Sequence, residues 1–400
     1  MQDARGKTEN VPASRKSLLT GAGENDKMGL RIPKTKKKGD FFAMDKLRVG
    51  LVGIGRGTAY GKVLSSHPYT EITALCDTNP AKLAEHAADF GLSDRQCFTD
   101  YEPFLDSGVD LVVLGTPIPY HEAQVIAALD RNIHVLCEVT AANSIEGCRN
   151  IWEATKRSKA KYMMAENCNY MHFVLEWKDY VDRGLLGHIH YAEAEYVHEI
   201  RQLVIDKDGN NLWRTQRAPL HYCSHSLGPI LYWLDDYIVR CTASGKSVNI
   251  VENVGPGAID MQCGLFETSK GATIRVLRSS VSPRKPAWCG YAMYGSKGYI
   301  ETDDYTSDRA RRYFEGVDED CVNFTNYASD PNATEEMKAG GHGSCEYLLI
   351  NRFLDDIKYD CTPAIDIVKA LDMTIPGLVA HEAAMQGGVW LDCPLFYREK

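Results

Sequence analysis

The chain has 400 residues, of which 44% are hydrophobic and 25% are charged, and its formal net charge is −9. This length predicts more than one domain, because a single hydrophobic core rarely extends beyond about 250 to 300 residues. The acidic balance argues against nucleic acid as a partner, since contacts to phosphates need a basic surface. The sequence shows neither a run of about 18 apolar residues nor a secretory signal core, so we expect no membrane partner and no export.

Thirteen cysteines are scattered along the chain without a disulfide framework and without a CxxC pair. An odd number of scattered cysteines is typical of free thiols in a reducing compartment. We therefore expect a cytoplasmic protein.

The first 44 residues differ from the rest in charge. They carry ten Lys and Arg against five Asp and Glu, which leaves 35 against 49 for the remainder. This segment, which includes KTKKKGD, has no apolar periodicity and predicts a disordered basic tail over residues 1–44. An alternative is that the basic cluster serves as an interaction arm, and Met44 is a candidate start of the folded unit.

The pattern changes at Lys46, where short apolar runs begin to alternate with helical segments. The first run ends in glycines, as does a buried parallel strand that enters a tight turn. Repeated strand–helix units predict a doubly wound parallel sheet with right-handed crossovers, and hence an α/β fold whose N-terminal Rossmann domain spans residues 45–168. The predicted strands are LRVGLVGIG, EITALCD, VDLVVLGTP, IHVLCEV and KYMMAENCN, and the intervening helices include NPAKLAEHAADFGL and EAQVIAALDRN.

Beyond about Tyr170 the alternation of strand and helix stops. One helix is followed by several runs with alternating polarity and glycine-containing turns, which predict a large, mostly antiparallel open sheet. We assign residues 169–344 to an α+β domain for substrate binding and oligomerisation, and residues 345–400 to helices that pack back on the Rossmann domain. An open sheet face commonly needs a partner, so we expect a homo-oligomer, either a dimer or a tetramer. The runs are FVLEWKDYVDRG, HIHYAEAEYVHE, IVRCTASG, DMQCGLFETS, ATIRVLRSSV, YAMYGS, GYIETD, EYLLINRFLDDIK and AIDIVKALDMTIPGLVAHEAAMQG.

A glycine motif, GIGRGT, follows the first strand. Its glycines would let the backbone turn sharply and approach a pyrophosphate at a helix N-terminus, although the third glycine position holds Thr58 and such a motif alone is often a plain turn. Asp77 strengthens the assignment, because a carboxylate at the end of the second strand accepts hydrogen bonds from the adenosine ribose. It also repels a 2′-phosphate, which favours NAD over NADP. The predicted cofactor residues here are Gly53, Gly55, Arg56, Gly57 and Asp77.

Two further groups of residues follow strands that end on the same edge of the sheet. The loop GTPIPYH contains Thr116, Pro117 and His121, and the next strand ends at Glu138. Ligands bind at the carboxyl edge of such sheets, so we predict that these four residues contact the cofactor. For Glu138 the alternative is a solvated charge at a strand end.

The last parallel strand opens into AENCNY, which contains Asn167 and Tyr170. Its place on the carboxyl edge makes Asn167 a candidate cofactor residue and Tyr170 a candidate functional group. The alternative for Tyr170 is a core aromatic residue, which is the commoner role of tyrosine.

A polar segment, NLWRTQRAPLHYCSHSLGP, collects aromatic, arginine and histidine side chains. Tryptophan and arginine suit sugar recognition, and histidine is the usual proton carrier near neutral pH. The alternatives are a zinc site, if the segment were a strand that aligned its histidines and cysteine, and a structural role for the histidines. We predict no metal, because a further clear ligand is missing. The residues concerned are Trp213, Arg214, Arg217, His221, Cys223 and His225.

These motifs together resemble a known family. The glycine loop, Asp77, GTPIPYH, Glu138 and the order of the two domains resemble the glucose-fructose oxidoreductase, inositol dehydrogenase and MocA family over residues 46–396. More narrowly, CEVTAA in place of Glu-Lys-Pro, AENCNY, WRT, SHSLGP and GHGSCEY resemble the NAD-dependent glycosidases of glycoside hydrolase family 109.

The resemblance implies hydrolysis by way of transient oxidation. Tightly held NAD+ oxidises the 3-hydroxyl of the sugar, the ketone acidifies the proton on C2, the aglycone leaves by elimination, water adds to C1, and the hydride returns. It further implies that Tyr170 and His225 are the acid and base, and that Glu138 holds the nicotinamide ribose. Trp213 is assigned to the cofactor. The implied substrate residues are His198, Arg214, Arg217, His221 and His342.

Two other interpretations stay open. The chain could be an NAD-dependent sugar or polyol dehydrogenase in which Tyr170 or His225 replaces the usual lysine. It could also be an inactive NAD-binding regulator. Arginines such as Arg201, Arg214 and Arg217 suit an anionic substituent, but they also bind neutral sugars or form salt bridges.

Overall fold

The computed structural model describes residues 46–303 and 308–398. The predicted basic tail at residues 1–44 lies outside the described residues, as do the last two residues of the predicted C-terminal segment 345–400. All thirteen cysteines lie within the described part of the chain, and each is a free thiol.

The N-terminal half forms a six-stranded parallel sheet in the order β3-β2-β1-β4-β5-β6. Its central strands are buried on both faces, which is why they are continuously apolar. The order reverses between β1 and β4, the usual position of a ligand in an open α/β sheet. The elements are β1 Leu47–Val52, α1 Ile54–Ser66, β2 Thr70–Cys76, α2 Pro80–Ala87, β3 Cys97–Phe98, α3 Tyr101–Leu105, β4 Leu111–Leu114, α4 His121–Asp130, β5 His134–Cys137, α5 Ile145–Arg157 and β6 Tyr162–Met164.

The second half builds a nine-stranded sheet in the order β14-β13-β12-β11-β7-β10-β9-β8-β15. Only the central β7–β10 pair is parallel among its described strand pairs. Alternating burial along β10 shows that one face packs on the core and the other is more exposed. The elements are α6 His172–Asp182, β7 Ile189–Val197, α7 Ser224–Leu234, β8 Ile238–Ser244, β9 Gln262–Thr268, β10 Thr273–Ser279, β11 Trp288–Gly295, β12 Gly298–Thr302, β13 Arg309–Phe314, β14 Val322–Thr325, α8 Cys345–Lys358, α9 Ile367–Met385 and β15 Leu391–Asp392.

The last two helices connect the two sheets. Helix α8 packs against α1 and against a short 3-10 turn at Asn167–Tyr170, whereas α9 contacts α5 and β6 of the first half and β8 and β9 of the second. Most of α9 is buried, as expected of a helix that is apolar on nearly all sides.

The predicted fold class is confirmed. Each strand and helix predicted from the sequence is present, but the short strands β3, β14 and β15 and the polar strand β13 were missed because they lack a clear apolar pattern. The segment that carries His225 forms a 3-10 turn and helix α7, not a strand. The domain limits 45–168, 169–344 and 345–400 remain a proposal. Within the described ranges, no helix is long and apolar enough to span a bilayer.

Candidate functional site

The glycine loop forms a tight turn between β1 and α1. Gly53 has φ +75°, and a Cβ at this position would lie 2.8 Å from the carbonyl carbon of Gly115 and 2.9 Å from the nitrogen of Thr116. A larger residue would therefore push the β1 and β4 loops apart. A Cβ at Gly55, by contrast, would have only one atom within 4 Å, the Lys82 Nζ at 3.7 Å.

The N-terminal end of α1 fits a dinucleotide. The helix has no acidic residue in its first turn, and its cap residue, Gly53, has no side chain to occupy the positive end. Asp77, at the end of β2, accepts hydrogen bonds from the backbone N–H of Ile54 at 2.9 Å and of Asn79 at 2.9 Å. These contacts fix the Asp77 carboxylate beside the loop, where the ribose of a bound NAD would lie.

His121 connects two loops at this edge. Its side chain is buried, with Nε2 2.9 Å from the carbonyl oxygen of Thr116 and Nδ1 2.8 Å from that of Thr140. Burial lowers the pKa of His121, against the raising effect of these two carbonyls. The imidazole is therefore held between the loops, and Pro117 begins the 3-10 turn that leads to it. The Thr116 hydroxyl bonds to Gln124 at 2.5 Å.

Glu138, at the end of β5, is the centre of a buried ionic network. It accepts hydrogen bonds from the Arg56 Nε at 2.6 Å, the Tyr60 hydroxyl at 2.7 Å and the Val139 backbone N–H at 3.0 Å. Burial alone would raise the pKa of Glu138, but Arg56 and these donors prevail and lower it. The carboxylate is thus charged, oriented and partly exposed at the cofactor edge.

Arg56 extends this network to the C-terminal helices. Its Nη2 donates to the fully buried Glu346 at 3.0 Å, and Glu346 also contacts the Nδ1 of His342 at 2.6 Å and the Nδ2 of Asn167 at 3.5 Å. Burial opposes ionisation of Glu346, yet His342 and Arg56 lower its pKa. Three residues predicted from separate motifs, Arg56, Asn167 and His342, are therefore brought together by Glu346, which was not predicted.

A second buried pair joins Glu166 and His225. The Glu166 Oε1 lies 2.6 Å from the His225 Nδ1 and accepts the Cys168 backbone N–H at 3.1 Å. Gly228 permits this approach, because a Cβ there would lie 2.6 Å from the Asn169 side-chain oxygen and 3.0 Å from the Glu166 Cγ. Burial lowers the pKa of His225, but the charge of Glu166 and its hydrogen bond outweigh it and raise the pKa overall.

Tyr222 lies next to this pair and was missed by the sequence analysis. Its ring centroid is 4.9 Å from that of His225, and burial, with Glu138 as the next cause, raises the pKa of Tyr222 to about 12. For Tyr170, burial raises the pKa, and its charged neighbours are Arg352 and Asp356 on α8. The spacing of three in HYCSH could have indicated Tyr222, since residues three apart share one side of a helical turn.

Arginine and aromatic side chains line the next part of the site. Arg214 and Arg217 lie over the Trp213 ring at 4.4 and 5.7 Å, and Arg217 also lies 4.1 Å from the Tyr222 centroid. The Nδ1 of His198 lies 3.0 Å from the hydroxyl oxygen of Tyr196. Trp213, which is predicted to contact the cofactor, packs with Arg214 and Arg217.

His221 makes its ring contact with helix α9. It packs against His381 with ring centroids 4.6 Å apart, and burial together with His381 lowers the pKa of His221 to about 3. The zinc alternative built on His221, Cys223 and His225 therefore has no common centre. Among the described residues, the one group of side chains with suitable metal-ligand atoms is Glu166, Cys168 and His225, whose donor atoms lie within 4.8 Å of one another.

The chain has Glu138-Val139-Thr140 where the resembled family has Glu-Lys-Pro, so an apolar residue stands in place of the lysine. Val139 is only 4% exposed and belongs to the hydrophobic core. The titratable groups near this edge include the Glu166–His225 pair and Tyr222, and Glu138 acts electrostatically on Tyr222. An imidazole paired with a buried carboxylate is suited to proton transfer near neutral pH.

Comparison with known proteins gives one family model and several relatives that are similar to this chain. Residues 47–166 match the family model described as an oxidoreductase family with an NAD-binding Rossmann fold. A protein from Solibacter usitatus named glycosyl hydrolase family 109 protein is 27% identical over 394 residues, covering 88% of this chain and 89% of that protein. A protein of the same name from Shewanella pealeana is 26% identical, covering 93% of this chain and 88% of that protein.

Solved structures share the whole fold. A levoglucosan dehydrogenase in complex with NADH and levoglucosan has a TM-score of 0.76 at 18% identity, covering 88% of this chain and 100% of the other. An inositol dehydrogenase homologue from Azotobacter vinelandii, in complex with NADH and myo-inositol, has a TM-score of 0.72 at 20% identity, covering 87% and 98%. Residues 47–166 are therefore similar to the NAD-binding Rossmann domain of the glucose-fructose oxidoreductase, inositol dehydrogenase and MocA family of oxidoreductases.

Proposed function

We propose that the protein is an NAD-dependent glycoside hydrolase that works by transient oxidation at C3, elimination of the aglycone, addition of water and reduction. The observation that carries this proposal is the buried Glu166–His225 pair next to Tyr222, at an edge where the usual lysine is replaced by Val139. The relatives named glycosyl hydrolase family 109 support it, because the similarity extends over most of both chains.

Bound NAD supplies the hydride acceptor and later returns the hydride. Gly53, Gly55, Gly57 and the α1 N-terminus would hold its pyrophosphate, and Asp77 its adenosine ribose. Glu138, fixed by Arg56 and Tyr60, would hold the nicotinamide ribose.

His225 is the proposed base. Its Nδ1 faces the Glu166 carboxylate, which stabilises the imidazolium that forms when the ring takes a proton from the sugar. The C3 ketone acidifies the C2 proton, and loss of that proton expels the aglycone oxygen from C1. Water then adds at C1, a proton returns to C2, and reduction of the C3 ketone with return of a proton to its oxygen restores the 3-hydroxyl, so the net reaction is hydrolysis without consumption of NAD.

Tyr222 is the proposed acid. Burial and Glu138 raise its pKa to about 12, so the phenol stays protonated near pH 7 and can donate to the leaving oxygen. Tyr170, which the resemblance implied for this role, is the competing candidate. The geometry favours Tyr222, because its ring adjoins His225.

The test is incubation of the NAD-loaded protein with a panel of nitrophenyl glycosides in D2O. Aglycone release without net NADH, and deuterium at C2 of the released sugar, are the expected results. Turnover that leaves hydrogen at C2 would refute elimination. Steady NADH formation with free sugars would identify the dehydrogenase alternative, and NAD binding without any turnover would identify a regulator.

A cytoplasmic location and a homo-oligomer, dimer or tetramer, complete the proposal. Thirteen free thiols support the first and the open outer face of the nine-stranded sheet supports the second. Light scattering should give a mass of two or four chains, and a monomeric mass at micromolar concentration would contradict the oligomer.

A further inference from the structure

Two arginines beside the proposed acid and base are almost completely buried. Arg217 is 6% exposed and Arg278 is 1% exposed. Within the described part of the chain, neither has a carboxylate at salt-bridge distance, and the charges that act on them come from tyrosines, cysteines and other arginines. Buried arginine is almost always paired, because an unpaired charge is expensive to remove from water.

Arg278 is satisfied by the protein itself. It donates to the backbone carbonyls of Tyr196 at 3.0 Å, Tyr222 at 3.4 Å and Ser279, and it lies 4.4 Å from the Tyr196 ring centroid. Position 278 shares the core-facing side of β10 with Ile274 and Val276. Its positive charge is therefore built into the core side of the sheet and fixed in place.

Arg217 and Arg214 have donors to spare. The Arg217 Nη2 donates to the Ser280 hydroxyl at 3.2 Å, while the buried Nε atoms of both Arg217 and Arg214 have no partner among the described residues. Burial, Arg278 and Arg214 together lower the pKa of Arg217 to about 9, which leaves the guanidinium charged at pH 7. Three cations thus lie close together, and two of them, Arg214 and Arg217, carry unsatisfied N–H groups.

The position of this cluster identifies what it would bind. Arg217 lies 4.1 Å from the Tyr222 ring, and Tyr222 lies 4.9 Å from His225. A group held by Arg217 would therefore be attached to the sugar whose protons these residues move. The pyrophosphate is accounted for separately by Gly53 and the α1 N-terminus.

We propose that Arg214 and Arg217, supported by Arg278, form a subsite for an anionic substituent on the glycoside: a carboxylate, a sulfate or a phosphate ester. Guanidinium groups bind such anions through paired, charge-assisted hydrogen bonds, and the low-dielectric surroundings strengthen them. This inference rests on the proposed function, because it specifies the substrate class of the same site.

The test compares glycosides that differ only in charge. The pairs are nitrophenyl glucoside with the glucuronide, and nitrophenyl galactoside with its 6-sulfate and its 6-phosphate, so that the three anions are distinguished. We expect kcat/KM for at least one anionic member to exceed that of its neutral partner by roughly tenfold or more. Equal or better turnover of every neutral partner would overturn the proposal.

Variants connect the preference to the arginines. Arg217→Gln should lower kcat/KM for the anionic substrate roughly tenfold more than for its neutral partner, while Arg217→Lys should retain part of the preference. The matched control is Arg201→Gln, at an exposed arginine paired with Glu199 at 2.8 Å, which should change neither. Equal loss on both substrates in Arg217→Gln would mean a structural role only.

A binding measurement separates this inference from the proposed function. Calorimetric titration of the NAD-loaded protein with inorganic sulfate, at constant ionic strength, should give saturable binding that Arg217→Gln weakens at least tenfold and Arg201→Gln leaves unchanged. If no glycoside is hydrolysed but sulfate binds in this way, the proposed function fails and the anion subsite stands. If sulfate binds all three proteins alike, or none, the subsite is refuted.

Discussion

Replacing Glu166 by glutamine removes the negative charge that faces His225 and keeps the shape of the side chain. Glu166 is fully buried, and its Oε1 lies 2.6 Å from the His225 Nδ1. A hydrogen bond to a charged group contributes about 1.5 to 3 kcal/mol, and each 1.36 kcal/mol corresponds to tenfold in rate. If the pair stabilises the imidazolium in the transition state, Glu166→Gln should lower kcat/KM by roughly 10- to 150-fold.

The same substitution should shift the pH dependence of activity in a definite direction. Burial lowers the pKa of His225 and Glu166 raises it, with a net rise. A base acts in its neutral form, so activity in the wild type should fall as the pH drops through this raised pKa. In Glu166→Gln the burial effect remains without the carboxylate, so the acidic limb should move to lower pH.

The assay is aglycone release as kcat/KM, measured between about pH 5 and pH 9, where histidines titrate. The matched control is Asp89→Asn, which removes the carboxylate from an exposed histidine pair, His86–Asp89 at 2.9 Å, and should change neither rate nor profile. A Glu166→Gln enzyme with an unshifted acidic limb and a rate within about threefold of wild type would refute the role of this pair.

Three further substitutions test other parts of the site. Tyr222→Phe should reduce kcat roughly 10²- to 10⁴-fold, as expected for loss of a general acid, whereas Tyr170→Phe should retain activity; the reverse result would restore Tyr170 as the acid. Gly53→Ala should lower the melting temperature of the NAD-free protein, because alanine in the left-handed backbone conformation costs about 1–2 kcal/mol and its Cβ would contact the loop after β4. Gly55→Ala is the control and should leave the melting temperature unchanged. Equal melting temperatures for the two variants would contradict the steric argument. Asp77→Ala should weaken NAD binding roughly tenfold or more and reduce the ratio of the affinity for NAD to the affinity for NADP, both measured by fluorescence titration. Unchanged affinities would show that Asp77 only stabilises the glycine loop.

The parallel half of the fold was predictable because its strands are buried on both faces. LVVL in β4 is apolar without interruption, and the loops after β1, β4 and β5 were therefore correctly placed on one edge. The polar strand β13, RARRYF, carries too little apolar pattern to be recognised, because much of its length is exposed.

The site was harder to predict than the fold, because its essential contacts are between distant residues. Glu346 meets Arg56 across 290 positions, and no spacing in the sequence indicates that pair. Arg278 follows Arg275 by three residues, yet Arg275 pairs with Glu193 and Glu195 whereas Arg278 turns into the core. Arginine is usually exposed, so the sequence pattern predicts that both side chains are solvated, and the burial of Arg278 was not predicted.

The contact between Arg56 and Glu346 bears on how the protein is made. Chains are synthesised from the N-terminus, and early domains generally fold as units before later ones emerge. Arg56 and Glu138 are translated early, but the carboxylate that completes their network arrives only with α8, near the end of the chain. A chain whose synthesis stops before α8 would therefore contain the complete nucleotide-binding sheet, but it would lack Glu346, the carboxylate that completes the network of Arg56 and Glu138.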